Sequence, residues 1–449
     1  MKLLLIHPPS REVYDKFERK AIDRMPIGLA YVAAIGEQEK HQVEVLDAEA
    51  MRLSLTEIGS AIDSFRPEVI GVTCTTPLFP ISAKIVEMSK EQMPQTVTIL
   101  GGPHINALPR EALMQCGAAD FVIFGEGEQT FAALLKHISK RAKPSAVPGI
   151  GYRDGQGIIL NSPASAIENL DTIPFPARNK FPLNKYYDPD RYEDAYTLMV
   201  TSRGCPYNCI FCGSSATWGR KVRFRSATNV LDEIEQVIRE FGISNITFCD
   251  DTFTLGRRRV LEICNGIIER GYNIKFLCSS RINTIDEDRL EALAGAGCTE
   301  ISFGVESGDP EILKTICKNI ELDQVKAAFE MVKSFGIRVH SSYIIGNPGD
   351  TDETIRKTIE FAIDSGTDAA QFSISTPYPG TPLWSMAIQQ NKLKSRDYSE
   401  FKWYYSVVAN LSKVSDDDLI NYQRNAYSQF EESRKKMSHN KSLSCQLRH

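Results

Sequence analysis

Short apolar runs and amphipathic stretches alternate along the first 140 residues of the chain. Five apolar runs are typical of buried strands: Lys2–His7, Gln42–Asp47, Val69–Thr73, Thr96–Leu100 and Phe121–Phe124. The stretches between them, such as Ile27–Glu39 and Ile81–Gln92, repeat their apolar residues at helical spacing. Because strands separated by helices form βαβ units, the pattern predicts an α/β domain with a parallel sheet over residues 1–142.

The alternation stops over residues 143–194, where proline, glycine and asparagine recur. The sequence Asp154–Gly157 predicts a hairpin. The prolines in Ile173–Arg178 exclude a helix and predict an extended linker. We therefore expect this region to be a linker with a hairpin, and a domain boundary within it.

A second alternation covers residues 195–390. It predicts six strands: Tyr196–Thr201, Asn245–Cys249, Lys275–Ser279, Glu300–Val305, Arg338–Ile345 and Ala369–Ser375. Amphipathic helices are predicted between these strands. One example is Asn229–Phe241, which is followed by Gly242 as a C-terminal cap. Six strands with crossover helices predict a partial (β/α)6 barrel, since a full barrel needs eight. Residues 391–449 form a C-terminal extension with a surface helix predicted over Asp416–Lys436.

Composition and charge narrow the class of protein. The 449 residues are 42% hydrophobic and 24% charged, which is typical of a globular protein of two or three domains. No apolar run approaches the ~18 residues of a membrane span, and the net charge of −5 gives no basis for a nucleic-acid partner. Eleven cysteines without a pairing pattern, in a chain that starts without a signal peptide, predict a cytoplasmic location. One basic cluster, Gly219–Arg225, is either a solvated loop or a site for anionic groups.

The residues that carry most chemistry are three closely spaced cysteines, Cys205, Cys209 and Cys212, here called the cysteine motif. Three thiols within eight residues indicate a soft metal centre. A structural zinc site would need a fourth cysteine or histidine at ligand spacing, and the next cysteine, Cys249, is far along the chain. A [4Fe–4S] cluster held by three cysteines keeps one iron open, as a catalytic site requires.

The spacing C-x3-C-x2-C, with the aromatic Phe211 before the last cysteine, resembles the signature of the radical S-adenosylmethionine (SAM) superfamily. This resemblance implies that the cysteine motif holds a [4Fe–4S] cluster and that SAM chelates its open iron. It also implies that Phe211 and Gly213 lie near the cofactors. In that superfamily the reduced cluster cleaves SAM to methionine and a 5′-deoxyadenosyl radical, and an external donor such as flavodoxin or ferredoxin supplies the electron.

Polar residues at the predicted strand ends extend the resemblance over residues 195–385. In a barrel of this kind the chemistry lies at the carboxyl ends of the strands. The resemblance implies that Asp250 and Asp251 lie near the SAM amino group and that Arg281 meets its carboxylate. It also implies that Glu306 and Ser307 bind the ribose or methionyl end. The family's Gly-Gly-Glu element is replaced here by Cys-Asp-Asp, and a helix N-cap is the alternative role of the two aspartates.

The N-terminal domain has glycine and threonine at its strand ends, where open α/β sheets bind ligands. A nicotinamide or flavin dinucleotide would need G-x-G-x-x-G after the first strand, and the sequence there is His7–Ser10. The domain instead resembles the Rossmann-like cobalamin-binding domain of the B12-dependent radical SAM subgroup. The residues implied to contact cobalamin are Thr75, Thr76, Gly101, Gly102, Pro103, His104, Gly125, Glu126 and Gly127. The place of the cobalamin-ligating histidine in many B12 proteins reads Asp47–Met51, without histidine.

These resemblances lead to one principal hypothesis and two alternatives. The principal hypothesis is a cobalamin-dependent radical SAM methyltransferase that acts on an unactivated carbon of a small metabolite. The first alternative is a radical SAM dehydratase, epimerase or cyclase whose N-terminal domain is a scaffold without cobalamin. The second is a sensor or maturation partner that binds SAM without turnover. A tRNA methylthiotransferase would need a second cysteine trio, and the N-terminal half offers only Cys74 and Cys116.

Overall fold

The computed structural model describes residues 1–14, 24–140, 142–155, 157–188, 190–192 and 194–446, without the side chains of Glu12 and residues 437–446. The chain forms two compact units. The first comprises Met1–Pro206, Gly213–Asp250 and Asp397–Glu400. The second comprises Tyr207–Cys212, Asp251–Arg396 and Phe401–His449. Among the described helices, none is both long and apolar enough to cross a membrane.

The first unit contains a seven-stranded sheet of order β2-β1-β3-β4-β5-β6-β7. Its strands are β1 Lys2–His7, β2 Gln42–Asp47, β3 Val69–Thr73, β4 Val97–Gly101, β5 Phe121–Ile123, β6 Ile150–Asp154 and β7 Gly157–Leu160. The first five are parallel, and β6 and β7 form the predicted hairpin, which pairs antiparallel with β5. Gln156 of that hairpin lies outside the described residues. Because the hairpin extends the sheet, residues 150–160 are part of the N-terminal layer.

Helices connect the parallel strands of this sheet, as the period of the sequence predicts. They are α1 Arg11–Tyr14, α2 Ile27–Gln38, α3 Leu55–Phe65, α4 Phe79–Gln92, α5 Pro103–Ala107, α6 Pro109–Gln115 and α7 Gly127–Ser139. The start of α3 shows how the sequence sets a helix end: the Ser54 hydroxyl accepts from the Glu57 amide, and the Glu57 carboxylate accepts from the Ser54 amide. The core between sheet and helices includes Leu3, Ile6 and Leu134, all fully buried.

The rest of the first unit carries the first part of the second alternation. Its elements are β8 Tyr196–Met199, β9 Ser202–Arg203, α8 Ser214–Thr217, β10 Arg223–Phe224, α9 Ala227–Phe241 and β11 Asn245–Phe248. Strands β8 and β11 are parallel, whereas β9 and β10 form a short antiparallel ribbon that periodicity did not predict. Helix α9 ends at Gly242, whose φ of +66° gives the left-handed cap expected from the sequence.

The linker before β8 is fixed by a fully buried arginine. Arg178 donates from Nη2 to a Glu233 carboxylate oxygen at 2.5 Å and from Nε to the Thr197 hydroxyl at 3.0 Å. Arg225 pairs with the other oxygen of Glu233. Burial opposes ionisation of Glu233, but the two guanidinium groups outweigh it and hold its pKa below the usual range. The linker is therefore tied to β8 and α9.

The second unit contains four parallel strands in the order β12-β13-β14-β15. Its elements are α10 Arg257–Glu269, β12 Lys275–Ser280, α11 Glu287–Gly295, β13 Cys298–Glu306, α12 Pro310–Thr315, α13 Leu322–Ser334, β14 Arg338–Ile345, α14 Asp352–Asp364, β15 Ala369–Ile374, α15 Pro382–Gln389 and α16 Asp416–Gln446. All six strands predicted after residue 195 are present, within two residues at each end. The expected α/β class, with an N-terminal parallel-sheet domain, parallel strands in the barrel region and a helical C-terminus, is confirmed.

The C-terminal helix α16 packs on the last strand of the second unit. The Gln423 amide donates to the Phe372 carbonyl at 2.8 Å, and the Tyr427 ring lies edge-on to the Phe372 ring. The helix is ten residues longer than the sequence predicts, and residues 447–449 lie outside the described residues. Short 3-10 turns complete the fold at Pro144–Ala146, Leu170–Thr172, Arg178–Lys180, Leu183–Lys185, Ile282–Thr284 and Tyr398–Glu400.

Candidate functional site

In the first unit, the carboxyl ends of β3, β4 and β5 lie side by side and bring three loops together. The name glycine-rich edge is used here for residues 74–77, 101–104 and 125–127. The Cys74 amide donates to the Gly101 carbonyl at 2.8 Å, and the Gly125 amide donates to the Asn106 side chain at 2.9 Å. Thr75, Pro103 and Gly125 are exposed. The structure thus brings the residues that the sequence assigned to cobalamin to one edge of the sheet, where Thr76, His104 and Glu126 are buried.

The glycines of this edge differ in the space around them. Gly102 has a φ of +108°, and a Cβ built on it would lie 2.6 Å from the Cys74 carbonyl oxygen. Gly102 is therefore required by the close approach of two loops. Gly101 and Gly125 have nothing within 4 Å of such a Cβ, so their backbones face open space. An open, backbone-lined edge of this kind fits a large planar ligand.

His104 is fully buried at the inner side of the glycine-rich edge. Its ring lies 4.4 Å from the Phe79 ring and 4.5 Å from the Tyr398 ring, and its Nδ1 lies 3.4 Å from the Thr76 hydroxyl. Nε2 has no hydrogen-bond partner among the described residues. Burial lowers the pKa of His104 to about 4, so the imidazole is neutral at neutral pH.

The loop after β2, where many B12 proteins carry the ligating histidine, is occupied by a buried carboxylate. Asp47 accepts from the Tyr186 hydroxyl at 2.6 Å and the Ala50 amide at 3.1 Å, and it lies 2.9 Å from Nδ1 of His7. Burial opposes its ionisation, but these partners, His7 first, hold its pKa below the usual range. The loop is thereby closed by protein groups.

Glu126 does not face the open side of the glycine-rich edge. One of its carboxylate oxygens accepts from Arg203 at 2.9 Å, and the other accepts from Arg223 at 2.5 Å. Arg223 belongs to the basic cluster for which the sequence left a solvated loop or an anion site open. Both interpretations are wrong for Arg223 and Arg225, since both side chains are buried and pair with glutamates of the protein.

The cysteine motif lies on the chain between β9 and β10, and its three thiols are half-buried. The Cys205 amide donates to the Gly219 carbonyl at 3.4 Å, and the Cys212 amide donates to the Cys209 carbonyl at 3.3 Å. Across the described ranges of the chain, no three histidine, cysteine or acidic side chains already form a metal-binding group. The donor set of three thiols on one loop fits an iron–sulfur cluster. Phe211 is half-buried beside them, and Gly213 is exposed.

In the second unit, Arg281 lies against the cysteine motif. Its Nη1 is 3.7 Å from the Cys209 sulfur, and its guanidinium lies 3.7 Å from the centre of the Tyr207 ring. Nη2 donates to the Lys318 carbonyl at 2.6 Å. Within the described part of the chain, the buried Nε has no acceptor. A buried guanidinium with a spare donor fits an incoming carboxylate.

Glu306 ends β13 in a strained conformation, with a φ of +76° and a register shift toward β14. Its carboxylate accepts from Nζ of Lys318 at 2.9 Å, and both side chains are buried. Such strain in a non-glycine residue is frequent at functional sites. Ser307 is fully buried, and its hydroxyl lies 3.2 Å from that of Thr358, so it braces helix α14.

The two aspartates after β11 have different environments. Asp250 is buried, and its carboxylate accepts from the Thr201 amide at 2.8 Å, the Ser202 amide at 2.5 Å and the Thr201 hydroxyl at 2.5 Å. These bonds hold the turn that leads into β9. Asp251 is exposed. Asp250 therefore has a role in the fold that the resemblance to SAM-binding residues did not predict.

Sequence reasoning missed Lys318 and Tyr207. Lys318 follows Cys317, a half-buried cysteine with a φ of +56°, and the Cys209 thiol lies 3.8 Å from the Cys317 carbonyl. The Ile210 amide donates to the Ile316 carbonyl at 3.2 Å, so residues 316–318 brace the part of the loop that carries Cys209. Tyr207 lies between Cys205 and Cys209, and an aromatic residue at that position was the signal from which its role could have been predicted. Lys318 had none, since a lysine after a short helix is usually solvated.

Two models of protein families match the chain. The radical SAM superfamily model matches residues 199–362, and the B12 binding domain model matches residues 22–135. The first match includes the cysteine motif, Arg281 and Glu306. The second includes the glycine-rich edge.

The chain is also similar to proteins over most of its length. It is 34% identical to an uncharacterized methyltransferase from Pyrococcus horikoshii, over 96% of this chain and 92% of that protein. Its fold is similar to that of the radical SAM methyltransferase TsrM from Kitasatospora setae with cobalamin and a [4Fe–4S] cluster bound. That likeness has a TM-score of 0.74 at 17% identity, over 95% of this chain and 90% of that one. The cobalamin-dependent SAM radical enzyme OxsB, with aqua-cobalamin and SAM bound, gives a TM-score of 0.78 at 18% identity, over 97% of this chain and 71% of that one.

These matches agree with the order of the two domains read from the sequence. The chain belongs to the radical SAM superfamily, in the group of methyltransferases that carry an N-terminal B12-binding domain.

Proposed function

We propose that this protein is a cobalamin-dependent radical SAM methyltransferase that methylates an unactivated carbon of a small metabolite. The observation that carries the proposal is the buried Arg281 guanidinium, which faces the Cys209 sulfur and retains a donor without an acceptor in the described part of the chain. A carboxylate held there would lie beside the cysteine motif. This arrangement supports SAM as the group that completes the cluster.

The second unit supplies the residues for SAM. Arg281 would hold the carboxylate, and Glu306 with Lys318 offers a buried, charged pair for the ribose or amino group. Tyr207 covers one face of the Arg281 guanidinium and shields it from water. Asp251, which is exposed, is the aspartate of this pair that we assign to the SAM amino group, because Asp250 is buried in the turn before β9.

The glycine-rich edge would hold cobalamin. Gly101 and Gly125 would let the backbone approach the ring closely, and the neutral His104, whose buried Nε2 has no partner among the described residues, would lie at the same edge. When bound, the cluster with SAM supplies a radical that activates the substrate carbon, and cobalamin supplies the methyl group. The chain's own residues orient these groups and exclude water.

Membership of the family supports further assignments for the electron donor, the substrate, the location and the remaining cofactor contacts. The reductant would be a small external electron carrier such as flavodoxin or ferredoxin. The substrate would be a small molecule, and the enzyme would work in the cytoplasm. Phe211 and Gly213 would lie near the cluster and SAM, with Thr75, Thr76 and Pro103 near cobalamin.

The test is anaerobic turnover of the reconstituted protein with SAM, cobalamin and a chemical reductant, followed by chromatography with mass detection. Methyl transfer predicts both S-adenosylhomocysteine and 5′-deoxyadenosine. An Arg281→Lys variant should raise the KM for SAM, because lysine lacks the guanidinium Nε–H that we assign to the carboxylate. Arg289→Lys is the matched control, since Arg289 forms an ion pair with Asp286 on helix α11.

Two other outcomes contradict the proposal. Formation of 5′-deoxyadenosine without S-adenosylhomocysteine would favour a dehydratase, epimerase or cyclase without cobalamin. Intact SAM after reduction of the cluster would favour a sensor or maturation partner.

A further inference from the structure

Two arginines stand at the two ends of the chain segment that carries the cysteine motif. Arg203 lies on β9, two residues before Cys205, and Arg223 lies on β10, eleven residues after Cys212. The two strands pair antiparallel with Arg203 opposite Arg223. The ribbon therefore brings the two ends of the segment together, and contacts that fix the two arginines also fix both ends of the segment.

Both guanidinium groups are paired with glutamates at the turn that leads from β5 into α7, Glu126 just before the helix and Glu128 in its first turn. Arg203 donates to Glu126 at 2.9 Å and to Glu128 at 2.5 Å, and Arg223 donates to Glu126 at 2.5 Å. The exposed fractions of these four side chains are 3–7%. The name glutamate clamp is used here for Glu126, Glu128, Arg203 and Arg223. Its two positive and two negative charges balance, as burial requires.

The packing around the glutamate clamp leaves little freedom to the first residues of the segment. The Arg203 guanidinium lies 4.7 Å from the centre of the Trp218 ring, and Arg223 donates to the Trp218 carbonyl at 3.2 Å. Gly204 has a φ of +97°, and a Cβ there would lie 2.4 Å from the Lys221 carbonyl oxygen. The path of the chain into Cys205 is thus fixed by contacts on both sides.

The same turn belongs to the glycine-rich edge. Gly125 faces open space immediately before Glu126, and its amide is bonded to Asn106, on the helix that follows Gly101–Pro103. One short stretch of chain therefore presents backbone to the candidate cobalamin site and carboxylates to the arginines that flank the cysteine motif. The turn is therefore part of the candidate cobalamin site and also part of the contacts that hold Arg203 and Arg223.

We propose that Glu126 and Glu128 are positioning residues, which act through Arg203 and Arg223 to set the position of Cys205, the cysteine of the motif that belongs to the first unit, and to couple it to the glycine-rich edge. This inference rests on the proposed function only for the identity of the cofactors. The position of the cysteines is a property of the chain itself, and it can be measured without either cofactor.

The experiment compares thiol reactivity in the reduced, cluster-free full-length protein under anaerobic conditions. The variant is Arg203→Met with Glu128→Gln, which removes one positive and one negative charge and keeps the pair of Glu126 with Arg223. We expect iodoacetamide to alkylate Cys205 at least about tenfold faster than in the wild type, the effect of losing one charged hydrogen bond. Cys249, exposed and outside the glutamate clamp, is the internal reference, and its rate should not change.

Two controls separate positioning from general instability. Leu134→Ala makes a cavity in the core beside helix α7, which starts in the same turn, without removing a charge. Arg203→Lys keeps the charge and loses the double hydrogen bond, so its Cys205 rate should lie between those of the wild type and the double variant. If the double variant fails to fold, Arg203→Lys alone carries the test.

The proposal is overturned if Cys205 reacts at the wild-type rate in the folded variants. It is also overturned if Leu134→Ala lowers the melting temperature as much as the double variant does and accelerates alkylation of Cys205 by the same factor. A second readout is the rate at which a chelator removes iron from the reconstituted protein, which should rise with the Cys205 rate. Wild-type protein that takes up no iron would contradict the proposed function, and the alkylation rates would still decide on the glutamate clamp.

Discussion

Replacement of Asp250 distinguishes a residue that shapes the entry to the cysteine motif from one that binds SAM. Its carboxylate accepts two buried backbone N–H groups, of Thr201 and Ser202, and one hydroxyl. Asp250→Ala removes the acceptor of both amides, and an unsatisfied buried donor costs about 1–3 kcal/mol. The two amides together then cost about 2–6 kcal/mol of stability.

The matched variant Asp250→Asn preserves the shape of the side chain. Its amide oxygen can accept from both N–H groups, and its NH2 can donate to the Thr201 hydroxyl. Only the charge is lost, so we expect about 1–2 kcal/mol of destabilisation. A direct role in binding the positively charged SAM amino group predicts the reverse pattern, with little change in stability and a large loss of SAM affinity in Asp250→Asn.

The assay is hydrogen exchange by mass spectrometry on the peptide that contains residues 201–202, with SAM affinity measured in parallel. A loss of 1–3 kcal/mol per amide corresponds to exchange about 5- to 150-fold faster in Asp250→Ala. Asp250→Asn should exchange at most about 30-fold faster and should bind SAM as the wild type does. Unchanged exchange in Asp250→Ala, with SAM affinity lost in both variants, would refute this reasoning.

Three further substitutions test separate parts of the structure. Gly102→Ala should lower the melting temperature and the affinity for cobalamin, since its φ of +108° and a backbone oxygen 2.6 Å from the new Cβ force the loop to move. Gly101→Ala is the control: its Cβ meets no atom within 4 Å, so the melting temperature should not change. Burial raises the pKa of Asp350 to about 6, so the folded protein favours its protonated form, and the stability this gives is present below about pH 4 and is lost as the pH rises through about 6. Asp350→Asn should therefore stabilise the protein at pH 7 by about 2–3 kcal/mol and flatten the melting temperature between pH 4 and 7, and an unchanged pH profile would contradict the assignment. Lys318→Met should destabilise by about 3–5 kcal/mol because it leaves the Glu306 carboxylate buried without its cation, and a double variant with Glu306→Gln should recover most of that loss in denaturant unfolding.

The strands and the cysteine motif could be predicted from the sequence because their signals are local. Apolar runs fix β1, β2, β3 and β14 to the residue, and the spacing of the three cysteines needs no tertiary information. The parallel order of the strands also follows from the helices between them.

The partners of the buried charges could not be predicted, because they are tertiary. Glu126 sits in a glycine-rich turn that reads as a ligand site, yet its partner Arg203 lies 77 positions further along the chain. The sequence likewise suggests a ligand-binding role for Asp250. The two backbone amides that donate to its carboxylate lie 48 and 49 positions before it. The hairpin β6–β7 was predicted, but not its pairing with β5, since the pattern of a two-stranded hairpin does not show which sheet it joins.

The central claim is that one chain holds an iron–sulfur cluster at the cysteine motif and cobalamin at the glycine-rich edge. Its most direct test is the iron and cobalt content of the protein after anaerobic reconstitution with iron, sulfide and cobalamin. We expect about four irons and about one cobalt per chain. Serine at Cys205, Cys209 and Cys212 should abolish the iron and spare the cobalt, whereas Cys317→Ser should change neither. Iron without cobalt in the wild-type protein, with cobalamin in excess, would contradict the claim.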